Sequence, residues 1–210
     1  STITATWLVQ EVLQHYLRQG TKPVAVVLDC TKAFNLAKFD ILFSRLLKRG
    51  MPAVVVRVLA FSYVEQKAWV RWGRTCTSET FGISNGTRQG SVLSLALFTV
   101  YVQDLLDRLK NLGAGCYVGA TFLGAVAWAD DFLLTAPTRG SMQSLLDVCS
   151  AFAAEVGLQF STDPNPAKSK SKAVFVVGRK TGLEKPAPLL LSTKALPYVA
   201  HATHLGHELH

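Results

Sequence analysis

Apolar positions along the chain change period several times, and each change marks an element. In residues 7–18, WLVQEVLQHYLR, Leu8, Val12, Leu13, Tyr16 and Leu17 recur at helical spacing, and GTKP breaks the helix. VAVVLD is a continuous β-branched run, the pattern of a buried strand, and it ends on Asp29. AKFDILFSRLLKRG puts Phe39, Leu42, Phe43, Leu46 and Leu47 on one helix face, with Gly50 as the stop. A second helix is predicted over PAVVVRVLAFSYVEQ, then a hairpin over KAWVRWGRTCTSETFGI and a glycine-bearing loop at NGTRQGS. Val92, Leu93, Ala96, Leu97, Val100, Tyr101 and Leu105 predict a long helix over 92–109. Two strands flank Asp130 and Asp131. Met142, Leu145, Leu146, Cys149, Phe152, Ala153 and Val156 then mark a helix over 141–157. LQFS and AVFVVG are predicted to close a last hairpin across the Pro- and Lys-rich TDPNPAKSKSK. This order predicts an α+β layer with an antiparallel sheet.

Composition narrows the picture. The chain has 210 residues, 49% of them hydrophobic, enough for a packed core of one domain or one domain and part of another. Its net charge is +8 and its pI about 9.5, which suits a polyanionic partner such as nucleic acid. Cys30, Cys76, Cys116 and Cys149 are widely spaced, with no CxxC pair. They read as core thiols of a reducing compartment, not as a zinc site or a disulfide framework. Mean hydropathy is high at +0.24, yet the greasiest stretch, SVLSLALFTVYVQDLL, is too short and too polar to span a membrane. No signal peptide is visible. The chain starts at Ser1 and runs at once into a helical pattern, so a fragment of a longer protein is expected.

The chemistry concentrates at AVAWADDFLLTAP, where apolar residues crowd both sides of Asp130 and Asp131. Two adjacent carboxylates in such surroundings repel each other and lose solvation. Side chains alternate along a strand, so both can serve one site only at a hairpin tip. If the strand ending on Asp29 is a neighbour, three carboxylates converge at one sheet edge. Hard oxygen ligands of this kind suit Mg²⁺, which completes its shell with water and substrate phosphates. Two such ions about 4 Å apart clamp the attacking and leaving oxygens of an in-line phosphoryl transfer. An aspartate pair alone is also a common turn-former, so its neighbours decide the reading.

Those neighbours form an ordered set. VVLDCTKAFNLAKFDILFSRLL, SNGTRQGSVLSLALFTVYVQDL, VAWADDFLLTAP and HLGHEL follow one another along the chain. Together they resemble the reverse transcriptase domain of non-LTR (LINE-like) retrotransposons, over nearly the whole chain. The resemblance implies a polymerase palm, an antiparallel sheet backed by helices, with part of the fingers and no thumb. Residues 1–210 would be one reverse transcriptase domain fragment, with 186–210 a primer-grip-like end leading to the thumb. It implies RNA-directed DNA polymerase activity with two Mg²⁺ ions, Mn²⁺ serving as a substitute, and an RNA template, a DNA primer and dNTP as partners. It gives no oligomeric state, and it implies a nuclear location.

Residue roles carry over where the motifs match. Asp29, Asp130 and Asp131 resemble the metal-binding carboxylates, and Cys30 stands where a backbone carbonyl completes a metal shell. Phe34 resembles the aromatic residue that leaves no room for a 2′-hydroxyl. Gln89 and Gly90 resemble the loop that touches the incoming nucleotide, glycine allowing close backbone approach. Lys170 matches the lysine that protonates or neutralises the leaving pyrophosphate, with Lys168 and Lys172 competing for that role. Leu205 and Gly206 resemble the turn that grips the primer.

Three positions depart from the family pattern: Asn35 where an aspartate is usual, Leu95 where a proline is usual, and Trp128 where a tyrosine or phenylalanine is usual. None removes a metal ligand. They point to drift in an old copy and to impaired catalysis. Two other readings compete: an inert palm that still binds nucleic acid, and a small carboxylate-metal phosphohydrolase, which has no need of Phe34 or the RQG loop. The run HATHLGHELH spaces His201, His204, His207 and His210 three apart, which invites a metal reading that Gly206 and the family motif both weaken.

Overall fold

The computed structural model describes residues 2–76, 78–88, 90–175, 187–204 and 207–209. The chain divides into two compact units, Ser1–Thr31 with Gln103–His210, and Lys32–Val102. Six helices are described: α1 Thr2–Arg18, α2 Ala33–Leu36, α3 Phe39–Lys48, α4 Ala53–Val64, α5 Val92–Leu112 and α6 Arg139–Val156. The described strands are β1 Val24–Asp29, β2 Lys67–Ala68, β3 Arg71–Trp72, β4 Thr75–Cys76, β5 Phe81–Gly82, β6 Tyr117–Val118, β7 Thr121–Phe122, β8 Ala125–Trp128, β9 Asp131–Ala136, β10 Lys172–Phe175, β11 Leu190–Leu191, β12 Lys194–Ala195, β13 Tyr198–Val199, β14 Ala202–His204 and β15 His207–Leu209.

The first unit is built on a five-stranded sheet in the order β13-β10-β1-β9-β8. β1 is its centre, antiparallel to both β9 and β10. That position explains its uninterrupted apolar sequence, since both faces are covered. On one face Ala25, Val27, Leu133 and Val174 pack with Val9 and Leu13 of α1. The opposite face holds Val24, Val26, Leu28, Phe132 and Leu134, all buried. α6 packs on β9 and buries its whole apolar stripe. Removing one of its large side chains, Phe152→Ala for instance, removes about 3–5 kcal/mol of packing. α6 starts at a Thr138 cap that accepts the Ser141 N–H, and stops at Gly157 with φ 77°.

Several expectations need correction. The sheet is not wholly antiparallel, because its edge strand β13 runs parallel to β10. Among the described residues, LQFS forms no hairpin ladder with AVFVVG. Phe160 makes one bridge to Cys30, and β10 pairs with β1 instead, because the central apolar strand offers two buried edges. The hairpin β6–β7 was not predicted. Its two-residue strands carry no period long enough to read, and its fold depends on glycine contact. A Cβ on Gly115 would collide with the Cα of Gly124, and a Cβ on Gly124 with the Cα of Gly115.

In the second unit, Leu42, Leu46, Val56, Tyr63, Leu97 and Phe98 are buried. Arg45 is buried too, its guanidinium donating to the Tyr101 carbonyl and lying 5.2 Å from the Tyr101 ring centre. The predicted hairpin over residues 67–83 forms as two short ladders, β2 with β5 and β3 with β4. α4 leaves Val54, Val58, Phe61 and Val64 exposed.

Candidate active site

The site in the first unit follows from strand register. β8 and β9 form a hairpin in which Trp128 pairs with Asp131, leaving Ala129 and Asp130 as its two-residue tip. Ala129 takes φ 57°, a left-handed conformation that costs a residue with a Cβ about 1–2 kcal/mol. Asp131 is the first residue of β9 and lies directly across from Asp29, the last residue of β1. On the other side of β1, Val27 pairs with Lys172. Continuing that register by two residues sets Lys170 opposite Asp29. The result is a cross-strand row, Asp131, Asp29 and Lys170, at one end of the sheet, with Asp130 at the adjoining tip.

Two like charges directly opposite each other destabilise a sheet, so this row is not explained by folding. Burial pushes the Asp29 carboxyl up; the Lys170 ammonium offsets this in part, and Asp130 adds to the rise. Burial also raises Asp131, reinforced by Asp130 and then Asp29. The Lys170 Nζ is 3.6 Å from Asp29 Oδ1, the near cation of the row. Lys170 is itself exposed, and among the described residues it is the lysine of the three with an ion pair to Asp29.

Ser169 and Ser171, which sequence reasoning missed, hold this lysine in place. Both are buried, Ser171 fully. The Ser171 hydroxyl oxygen accepts the Asp29 N–H at 3.2 Å, and the Ser169 hydroxyl donates to the Ser171 carbonyl at 2.6 Å. The signal lay in KSKSK, residues 168–172, whose period-two alternation leaves Ser169 and Ser171 buried and Lys168 and Lys170 exposed. The loop before it is fixed by Asn165 accepting from Ala167, and Asp163 accepting from Asn165.

The remaining candidates distribute as follows. The Cys30 thiol is buried and held far toward its neutral form, by burial first and then by Asp130 and Asp29, so the side chain is not an anionic ligand. Trp128 is 45% exposed and shares the sheet face of Asp131, its cross-strand partner. Phe34 lies in the second unit, half-buried, its ring 4.8 Å from that of Phe98. There the Phe34 carbonyl accepts the Thr87 N–H at 2.7 Å, and Gly86 packs so close to Asn35 that a Cβ would meet its Cα at 3.0 Å. The Asn35 segment and the loop leading to RQG are thus one packed assembly. Gly90 takes φ 82°, and a Cβ there would meet only open space. Leu95 is exposed in the first turns of α5, which starts at Val92 without a proline. Gln89, Leu205 and Gly206 lie outside the described residues. His204 and His207 are register partners in the β14–β15 ladder, and His210 lies outside the described residues.

Among the described residues, no three His, Cys, Asp or Glu side chains form a ready-made metal cage. The donor set nevertheless fits a hard dication. It consists of mutually repelling carboxylate oxygens at a half-open sheet edge, and Mg²⁺ characteristically takes one or two carboxylates and leaves its other positions to water and phosphate. No helix among the described residues is long and apolar enough to cross a membrane.

Comparison with known proteins agrees with this geometry. The family model described as reverse transcriptase (RNA-dependent DNA polymerase) matches residues 2–181. The Pol polyprotein of the type-2 retrotransposable element R2DM of Drosophila melanogaster is 32% identical over 156 residues, 74% of this chain and 15% of that protein. The Pol polyprotein of the R2 element of Nasonia vitripennis is 27% identical over 178 residues, 84% of this chain and 17% of that protein. The chain therefore spans about a sixth of the length of these two relatives. Telomerase from Candida albicans, solved with a fragment of telomeric RNA, has the same fold at a TM-score of 0.58 and 16% identity, over 87% of this chain and 32% of that one. Apo telomerase from Candida tropicalis gives 0.59 and 13%, over 93% and 40%. With a palm-like sheet, three aspartates at one end of it and the family model matching most of its length, the chain belongs to the reverse transcriptase family.

Proposed function

We propose that this chain carries the catalytic palm of an RNA-directed DNA polymerase, adding dNMP to a primer 3′-hydroxyl on an RNA template. The observation that supports it most is the row Asp131, Asp29 and Lys170, with Asp130 at the adjoining tip. Asp29, Asp130 and Asp131, with the Cys30 carbonyl, are the residues that would hold two Mg²⁺ ions. Those ions, when bound, supply charge neutralisation and Lewis acidity at the phosphoryl group. The chain's own part is to orient and to move protons. The carboxylates fix where the triphosphate sits relative to the primer hydroxyl. Lys170, tethered beside Asp29 through the Ser171 turn, donates a proton to the departing pyrophosphate or neutralises its charge. Phe34, Gln89 and Gly90 select and contact the nucleotide, and Leu205 and Gly206 hold the primer end. A nuclear location belongs to the same proposal.

Primer extension on an RNA template tests it. Wild-type protein should add dNMP only with Mg²⁺ or Mn²⁺. Extension that persists in Asp29→Asn refutes the assignment. Hybrid binding by the wild type without extension would favour the inert palm, for which the bulk of Trp128 beside Asp131 is the structural argument.

A further inference from the structure

We propose that residues 67–74, the β2–β3 arm of the hairpin, are a binding platform for single-stranded nucleic acid. Trp69 and Trp72 would stack on bases, and Lys67, Arg71 and Arg74 would neutralise phosphates. The inference rests on the polymerase reading only in supposing that the chain meets nucleic acid.

The hairpin is unusual in what it exposes. Trp69 is 58% exposed and Trp72 81%. An indole ring left this open forgoes the burial that normally accounts for a tryptophan in a sequence. Lys67, Arg71 and Arg74 are exposed alongside them, and none has an ion-pair partner among the described residues. The only carboxylate within 67–82 is Glu79, against those three cations. Aromatic planes alternating with unpaired cations are the chemistry of single-strand binding, because every base has a face to stack and every nucleotide a phosphate.

Lys67, Arg71 and Trp72 belong to the two ladders, and Trp69 lies in the break between them. β2 pairs with β5 and β3 with β4, but two residues lie between the pairs on the outgoing side and four on the return. The mismatch interrupts the ladder at Trp69 and Val70. The Val70 N–H donates instead to the Ser78 hydroxyl at 2.6 Å. Such an interruption re-aims side chains and ends regular pairing. Trp69 and Trp72 are three residues apart, on either side of the break between β2 and β3.

The test is anisotropy of a labelled single-stranded oligothymidylate, titrated with the full chain in EDTA and without dNTP, so that no chemistry contributes. Trp69→Ala and Trp72→Ala should each weaken binding by about tenfold, and Trp72→Phe should retain most of the affinity. Arg71→Gln with Arg74→Gln should flatten the dependence of log K on log salt by about 1.4. A blunt duplex, whose base faces are covered, should lose little affinity in the tryptophan variants. An affinity within about twofold of wild type in the double tryptophan variant overturns the inference, as does an equal loss for the duplex. Because the exposed positions bear little packing, far-ultraviolet circular dichroism should be unchanged. Absent primer extension with tryptophan-dependent binding intact would refute the polymerase reading and leave this one standing.

Discussion

At the scale of single residues, the site is a place where folding and function oppose each other. Burial and mutual repulsion raise the carboxyls of Asp29 and Asp131 above the ordinary value of 3.8. A carboxyl raised in the folded state binds more protons there than in the unfolded chain. Stability therefore falls as pH rises from the unfolded value through the folded one. Asp131→Asn should melt a few degrees above wild type at neutral pH in EDTA, while losing at least about a hundredfold in extension rate. The stability advantage should vanish below about pH 4, where the wild-type carboxyl is protonated too. An Asn variant that melts below wild type at neutral pH would contradict this. Lys170→Ala should cut single-turnover nucleotide addition by about a hundredfold or more, and Lys168→Ala should leave it near wild type. Equal effects of the two would return the lysine to a solvated loop. The aspartates were legible because two carboxylates in an apolar run demand an explanation. The serines that place Lys170 were not, because the alternation of residues 168–172 marks an inward face without saying what its hydroxyls bond.

Elements divide in the same way. β1, α3, α4, α5 and α6 follow from periodicity, because each is long enough to show a period or a continuous apolar run. Strands of two residues, such as β6 and β7, have no period at all. Their positions are set by the close approach of Gly115 and Gly124 and by main-chain bonds to β9, Cys116 N–H to the Thr135 carbonyl and Thr135 N–H to the Gly124 carbonyl. Gly124→Ala should therefore destabilise by about 1–3 kcal/mol in chemical denaturation, since the added methyl meets backbone that cannot move aside. A change below about 0.5 kcal/mol would mean that this hairpin does not hold β8 in place. The predicted LQFS hairpin failed for a tertiary reason: the edge of β1 competes for β10 and wins by burying it.

For the molecule as a whole, charge and motif order carried more than any single element. A net charge of +8 spread over 210 residues gives a field suited to a polyanion. Binding of an RNA–DNA hybrid should accordingly weaken by at least about tenfold between about 50 and 200 mM salt, as bound counterions cease to be released at a gain. A salt-independent affinity would show that contacts other than phosphate dominate. The two units were not legible in the sequence, because helix α5 runs unbroken through the division between them. The family was legible, because four motifs in a fixed order constrain far more than composition does.

The central claim is that the aspartates at the end of the sheet exist for nucleotidyl transfer. It is tested most directly by single-nucleotide addition to a DNA primer on an RNA template, comparing wild type with Asp130→Asn at saturating Mg²⁺. The account predicts cation-dependent addition by the wild type and a loss of at least about a thousandfold in the variant. Addition by the variant at the wild-type rate would contradict it.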